Sequence, residues 1–189
     1  MEEKIEILRE KLIKELSKLE DGVHVKLDYD PIIIDSLLFK KGKSYPIYKE
    51  FVSDFSIELL KKIDFSNVDF TDFCAINYDF SELYGVRLNP KKLYYNSLRN
   101  SILKGVYFTD SFDNCEIDGA NFTGSINAKL NPNTLRFDRF GTINLANCKF
   151  SDVTFTKPFL GSLAIKFSLS DIDFTGSHNS VIYMHSRIP

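Results

Sequence analysis

Ile63-Asp-Phe65-Ser-Asn, Val68-Asp-Phe70-Thr-Asp and Tyr78-Asp-Phe80-Ser-Glu are three copies of one pattern. It returns at Ala120-Asn-Phe122-Thr, Ile143-Asn-Leu145, Cys148-Lys-Phe150-Ser, Val153-Thr-Phe155-Thr and Ile172-Asp-Phe174-Thr. A large apolar residue recurs every five positions, often with Asp or Asn before it and Ser or Thr after it. Two runs keep the phase unbroken: Leu88, Leu93, Leu98, Leu103, Phe108, and Leu130, Leu135, Phe140, Leu145, Phe150, Phe155. Neither the helical period of 3.6 nor strand alternation gives a five-residue return.

A unit of one short strand plus one turn accounts for the period. Alternate strand residues share a face, so the residue two before each ladder position points inward with it. That position reads Ile63, Val68, Val106, Cys115, Ala120, Ala128, Ile143, Cys148, Val153 and Ile172, apolar and often small. The Asp, Asn, Ser and Thr between suit solvent and turns. Four units closing a square coil, with coils stacked at about 4.8 Å, predict a solenoid whose ladder residues stack on copies of themselves.

This small/apolar–Asp/Asn–Leu/Phe–Ser/Thr–x pattern resembles the pentapeptide-repeat family over roughly residues 63–182. The resemblance implies a mainly β fold, a right-handed parallel quadrilateral β-helix, here with an N-terminal α-helical cap. Phe73, Tyr78 and Asp138 are oversized or charged for the small inward position, and bulged coils are expected there.

A longer repeat overlies the ladder. Phe80 to Leu88 and Phe122 to Leu130 have the same spacing and each is followed by Asn-Pro; Phe174 to Ile182 repeats the spacing without it. Pro90 and Pro132 cannot donate to a ladder, so each Asn-Pro reads as a corner loop protruding from one side. Arg87, Lys91, Lys92, Asn133 and Arg136 around these loops are the candidate partner-binding residues. Charge along the repeat is banded: Asp64, Asp69, Asp72, Asp79, Glu82, then Arg87, Lys91, Lys92, Arg99, Lys104, then Asp110, Asp113, Glu116, Asp118, then Lys129, Arg136, Arg139, Lys149. The bands read either as neighbouring coils attracting one another or as a striped surface for a protein.

Residues 1–62 read as an N-terminal capping region. A helix over about 2–20 carries Ile5, Leu8, Leu12, Leu16 and Leu19 on one stripe, docked on this chain or on a partner helix. Residues 23–45 are irregular. Pro46 opens a second helix to Lys62, with Phe51, Phe55 and Leu59 inward, which covers the unpaired edge of the first coil. Residues 63–182 form the repeat domain. The tail, 183–189, with Val181 to Met184 just before and into it, either caps the last coil or meets a second copy.

A net charge of -2 gives no general attraction to nucleic acid or anionic lipid. No stretch is apolar enough to span a membrane, and no secretory leader is visible. Three cysteines, an odd count, fit a reducing, cytoplasmic compartment. His24, His178 and His185 lack metal spacing, and no phosphate loop or converging carboxylate pair is evident, so neither an enzyme nor a cofactor is expected. The reading is a non-enzymatic interaction scaffold with a protein partner, a monomer or a homodimer through a terminal coil. The family resemblance implies an alternative, a DNA mimic that binds type II topoisomerase (gyrase) and protects against quinolones. That needs a long acidic face, which the basic bands interrupt.

Overall fold

Leu12 and Leu16, four residues apart, are buried on one side of α1 (Glu2–Leu16). They face α2 (Pro31–Leu38), which starts with Asp30 accepting from the Ile32 N–H and proline in its first turn. The Arg9 guanidinium joins the two helices. Its Nε donates to the Leu37 carbonyl at 3.1 Å and its NH2 to the Ser36 carbonyl at 2.9 Å, capping carbonyls at the end of α2. α1 therefore docks on its own chain. The structure is a computed structural model that describes residues 2–42, 48–137, 142–161, 166–168 and 171–184. Pro46, Asp138, Arg139, Phe140 and His185 lie outside the described residues.

The expected helix over 47–62 is corrected. Lys49–Phe51 is a strand, β3, paired antiparallel with β2 (Phe39–Lys41), and helix α3 covers only Ile57–Leu60. Phe51 has helical spacing to Phe55 and Leu59. However, it pairs with Phe39 across the β2–β3 ladder, and its ring meets Phe39 at 5.0 Å and Phe73 at 5.2 Å, partners distant in sequence. The first edge of the repeat is covered by β1 (Val25–Lys26), parallel to β4 (Ile63–Asp64), rather than by a helix. Lys49 adds a parallel bridge to Phe73. α2 lies in a region read as irregular.

The fold class is also corrected. A right-handed parallel quadrilateral β-helix requires continuous sheets, and none forms among the described residues. Strands of two or three residues make six separate two-stranded sheets. Beyond those above, β5 (Arg87–Leu88) pairs with β6 (Tyr107–Phe108), β7 (Lys129–Leu130) with β9 (Thr154–Phe155), β8 (Thr142–Asn144) with β11 (Lys166–Ser168), and β10 (Phe159–Gly161) with β12 (Ile182–Met184), all parallel. Turn geometry shortens the strands. The carbonyls of Phe70, Leu98, Leu103, Phe122 and Phe150 each accept from the N–H three residues on. The residue between, such as Asp72, Asn100, Gly105, Gly124 or Asp152, has φ of 54 to 78°. A five-residue unit whose two central turn positions leave the strand has at most three residues extended.

The period does fix burial. Phe65, Phe80, Leu88, Leu98, Leu103, Phe108, Leu145 and Phe150 are fully buried, as are Ile63, Ala120, Cys148 and Val153 at the smaller inward position. Single parallel bridges carry the pairing between units, one column running Asp79, Ile102, Asn121, Lys149, Asp173. Along it Phe122, Phe150 and Phe174 stack at 5.8 and 5.5 Å. The Asn-Pro corners do not protrude. Pro90 and Pro132 are buried, each in a 3-10 turn capped by the preceding Asn side chain. Proline has no N–H to leave unpaired there.

Candidate functional site

The aspartates and asparagines before the ladder residues are committed to turns. Asp64, Asp69, Asp79, Asn121, Asn144 and Asp173 each accept from the backbone N–H two residues on, at 2.8 to 3.1 Å. This is the Asx turn, and it explains their recurrence without any shared cleft. Asp173 is held below the usual carboxylate range by the Thr175 hydroxyl and backbone N–H. The thiols are unpaired; Cys115 and Cys148 are buried, which pushes both up to about 12. Such thiols are not nucleophiles near neutral pH. Among the described residues no three His, Cys, Asp or Glu side chains form a metal cluster, and no helix is long and apolar enough to cross a membrane.

The charge bands pair with one another. Lys61 lies 3.1 Å from Glu82, Arg99 3.0 Å from Asp118 and Arg136 3.9 Å from Glu116. Lys91 lies 3.2 Å from Asp110 and 3.3 Å from Asp113. Each pair spans about four five-residue units, half the distance from Phe80 to Phe122. The Asp113 carboxyl is lowered by the Ser111 and Thr134 hydroxyls and then by Lys91.

The five candidate residues fall in three groups. Lys91 and Asn133 belong to the Asn-Pro corner. Lys91 reaches Asp113, Asp113 accepts from Thr134, and the Asn133 amide donates to Asn131 Oδ1 and, at 2.8 Å, to the Pro158 carbonyl. The Arg87 guanidinium lies 4.5 Å from the Tyr107 ring centroid, a cation–π contact one rung along. Arg136 NH2 donates to the Tyr95 carbonyl. Lys92 is exposed beside Leu93 in the loop that leads to Tyr95.

Tyr95 is the residue that the charge pattern did not point to. It has φ 55° and ψ 15°, left-handed backbone that costs a bulky side chain roughly 1–2 kcal/mol. Its ring packs 4.4 Å from Tyr94, yet 54% of the residue remains exposed. Tyr94 in turn meets Tyr48 at 4.8 Å. The signal was present in the sequence. Tyr95 sits two residues after Leu93, where Leu98 and Leu103 are followed by Asn100 and Gly105, residues suited to positive φ.

No family model matches the chain, and no curated protein or solved structure is significantly similar to it.

Proposed function

We propose that this protein is a non-enzymatic interaction scaffold that binds a protein partner through Tyr95 and the residues beside it. The observation that carries this reading is an exposed aromatic ring kept on strained backbone. A turn at this position is satisfied by Asn or Gly, so retaining Tyr costs stability and fold economy does not account for it. Exposed tyrosines flanked by arginine are the residue types that dominate binding energy at interfaces. Arg136, tied to the Tyr95 carbonyl, sets the loop, and Lys92 supplies an adjacent exposed cation with no ion-pair partner among the described residues. Lys91, Asn133 and Arg87 contribute as the frame around it. Unpaired cysteines favour a reducing, cytoplasmic setting, and the scaffold works as a monomer or as a homodimer joined at a terminal rung.

The test compares wild-type protein with Tyr95→Gly and Tyr95→Asn as bait in a native lysate. Both variants accept the left-handed backbone and lack the ring. The expected result is loss of a captured protein with the melting temperature kept or raised. Undiminished capture by both variants removes this site.

A further inference from the structure

The ladder loses phase where eight residues, rather than five or ten, separate Phe122 from Leu130 and Phe174 from Ile182. A hollow of about 290 Å³ lies beside each of these two slips. Tyr107 bridges Ile126 and Thr154 bridges His178 just before the slips, and Asn127 (φ 60°) and Asn179 (φ 59°) make the matching left-handed steps. Thr109 and Asp110 face Asn127, Lys129 and Asn131 across the first hollow; Lys157 and Pro158 face Asn179 and Val181 across the second. Thr156 lines both, so the two adjoin.

The unspent hydrogen-bonding capacity of this trough is specific. The Thr109 hydroxyl donates to the Leu88 carbonyl at 3.1 Å and the Thr156 hydroxyl to the Leu130 carbonyl at 3.3 Å. Their protons are committed, and only lone pairs are offered to a ligand. Asn127 spends an N–H on the Phe108 carbonyl and keeps its carbonyl oxygen, whereas Asn131 spends its oxygen on Asn133 and keeps its NH2. Asp110 is already held by Lys91, Asn89 and the Ser111 N–H. Lys129 and Lys157, one per hollow, have no ion-pair partner among the described residues. Three acceptor oxygens and one amide donor are therefore open, with two cations added. A simple anion brings acceptors alone and meets the threonine and asparagine oxygens unfavourably; a hydroxyl donates and accepts, and satisfies both. Each hollow is close to the lower size of small-molecule sites, about 300 Å³.

We propose that this trough binds a short acidic saccharide, one sugar unit per hollow, with its carboxylates on Lys129 and Lys157 and a hydroxyl donating to Thr156. The apolar edges of Pro158 and Val181 meet the C–H face of the second sugar. Tyr95 does not line this trough, and the proposal does not depend on the protein-partner reading.

Isothermal titration of the full chain tests it with three probes: digalacturonate, cellobiose, which has the hydroxyls without the acid, and glutarate, which has the acid without the hydroxyls. Digalacturonate is expected to bind saturably and at least tenfold more tightly than either control. Thr156→Val, close in shape, and Lys129→Gln, at an exposed position, are each expected to weaken it at least tenfold with the circular dichroism spectrum unchanged. Should Thr156→Val not fold, Lys129→Gln and Lys157→Gln carry the test. Absence of saturable digalacturonate binding, glutarate binding as tightly, or wild-type affinity in the folded variants overturns the proposal.

Discussion

Phe70 and Phe174 occupy the same step of the five-residue pattern near opposite ends of the repeat. Phe70 is buried among rings: Phe39 at 5.6 Å, Phe73 at 5.3 Å, Phe65 at 5.9 Å and Phe80 at 6.4 Å. Two of its neighbours, Phe39 and Phe51, come from β2 and β3, outside the repeat. Among the described residues Phe174 meets repeat-side rings, Phe150, Phe155 and Phe159, and stays half-buried. The N-terminal end is finished by sequence that abandons the period: β1 pairs with the first edge, and α1 and α2 pack behind it. The C-terminal rungs, Asp173 on Lys149 and His178 on Thr154, are still periodic, and residues 171–181 are half-buried or exposed. A repeating unit buries its neighbour but cannot bury its own outer side, so closure must come from elsewhere in the chain.

The largest test of that contrast is Phe70→Ala against Phe174→Ala. A cavity among closed-packed rings costs about 3–5 kcal/mol, whereas a half-buried ring with solvent on one side costs about 1–2 kcal/mol. Urea denaturation of both variants measures it, and equal midpoint shifts would mean that the two ends are equally closed.

Next in size is Arg9→Met, which keeps the side-chain stem and removes its donors to the Ser36 and Leu37 carbonyls. Hydrogen bonds from a charged group contribute about 1.5–3 kcal/mol, so the N-terminal closure loosens by that order. Amide exchange in α1 and α2 should accelerate while exchange around Phe150 stays at the wild-type rate. Uniform acceleration would show that the closure and the repeat open as one unit.

Tyr95→Gly has the opposite sign. Releasing a left-handed non-glycine residue stabilises by up to about 1 kcal/mol, after the greater unfolded-state freedom of glycine is subtracted. A rise in melting temperature checks it; a fall would mean that the ring's contact with Tyr94 outweighs the backbone strain.

What the sequence made legible follows from how local each cause is. The five-residue return is local and predicted which side chains are buried, from Phe65 to Phe155. It predicted continuous sheets that do not form, because the positive φ at Asp72, Asn100 and Asn147, at the fifth position of the unit, sets strand length. Asp30-Pro31 was a visible helix start, overlooked because Ile32-Ile33-Ile34 has no periodicity of its own. Lys49–Phe51 carried helical spacing, and only Phe39 and Phe73, distant in sequence, decide against it. The same holds for the site. Lys91 reads as a free cation until Asp110 and Asp113, 19 and 22 residues away, are brought beside it.

The smallest expected effect separates long-range from local carboxylate anchoring. Asp113 is lowered by the Ser111 hydroxyl, then by Thr134 and Lys91, two partners that only the folded chain delivers. Asp173 is lowered by Thr175, its neighbour two residues on. For both, the folded value lies below the ordinary value of 3.8. Their stabilisation is therefore complete above that value and is lost as pH falls through the lower, folded one. Melting temperature should decline as pH drops below about 4, and the Asp113→Asn variant should show a shallower decline than wild type. In Asp173→Asn the slope should change less, since an Asx turn with Thr175 involves only residues already adjacent in the unfolded chain. Melting curves between pH 3 and 6, an interval spanning the ordinary carboxylate range on both sides, make the comparison. If Asp173→Asn flattens the acid limb as much as Asp113→Asn does, the C-terminal rungs are held as firmly as the interior, and the contrast between the two ends fails.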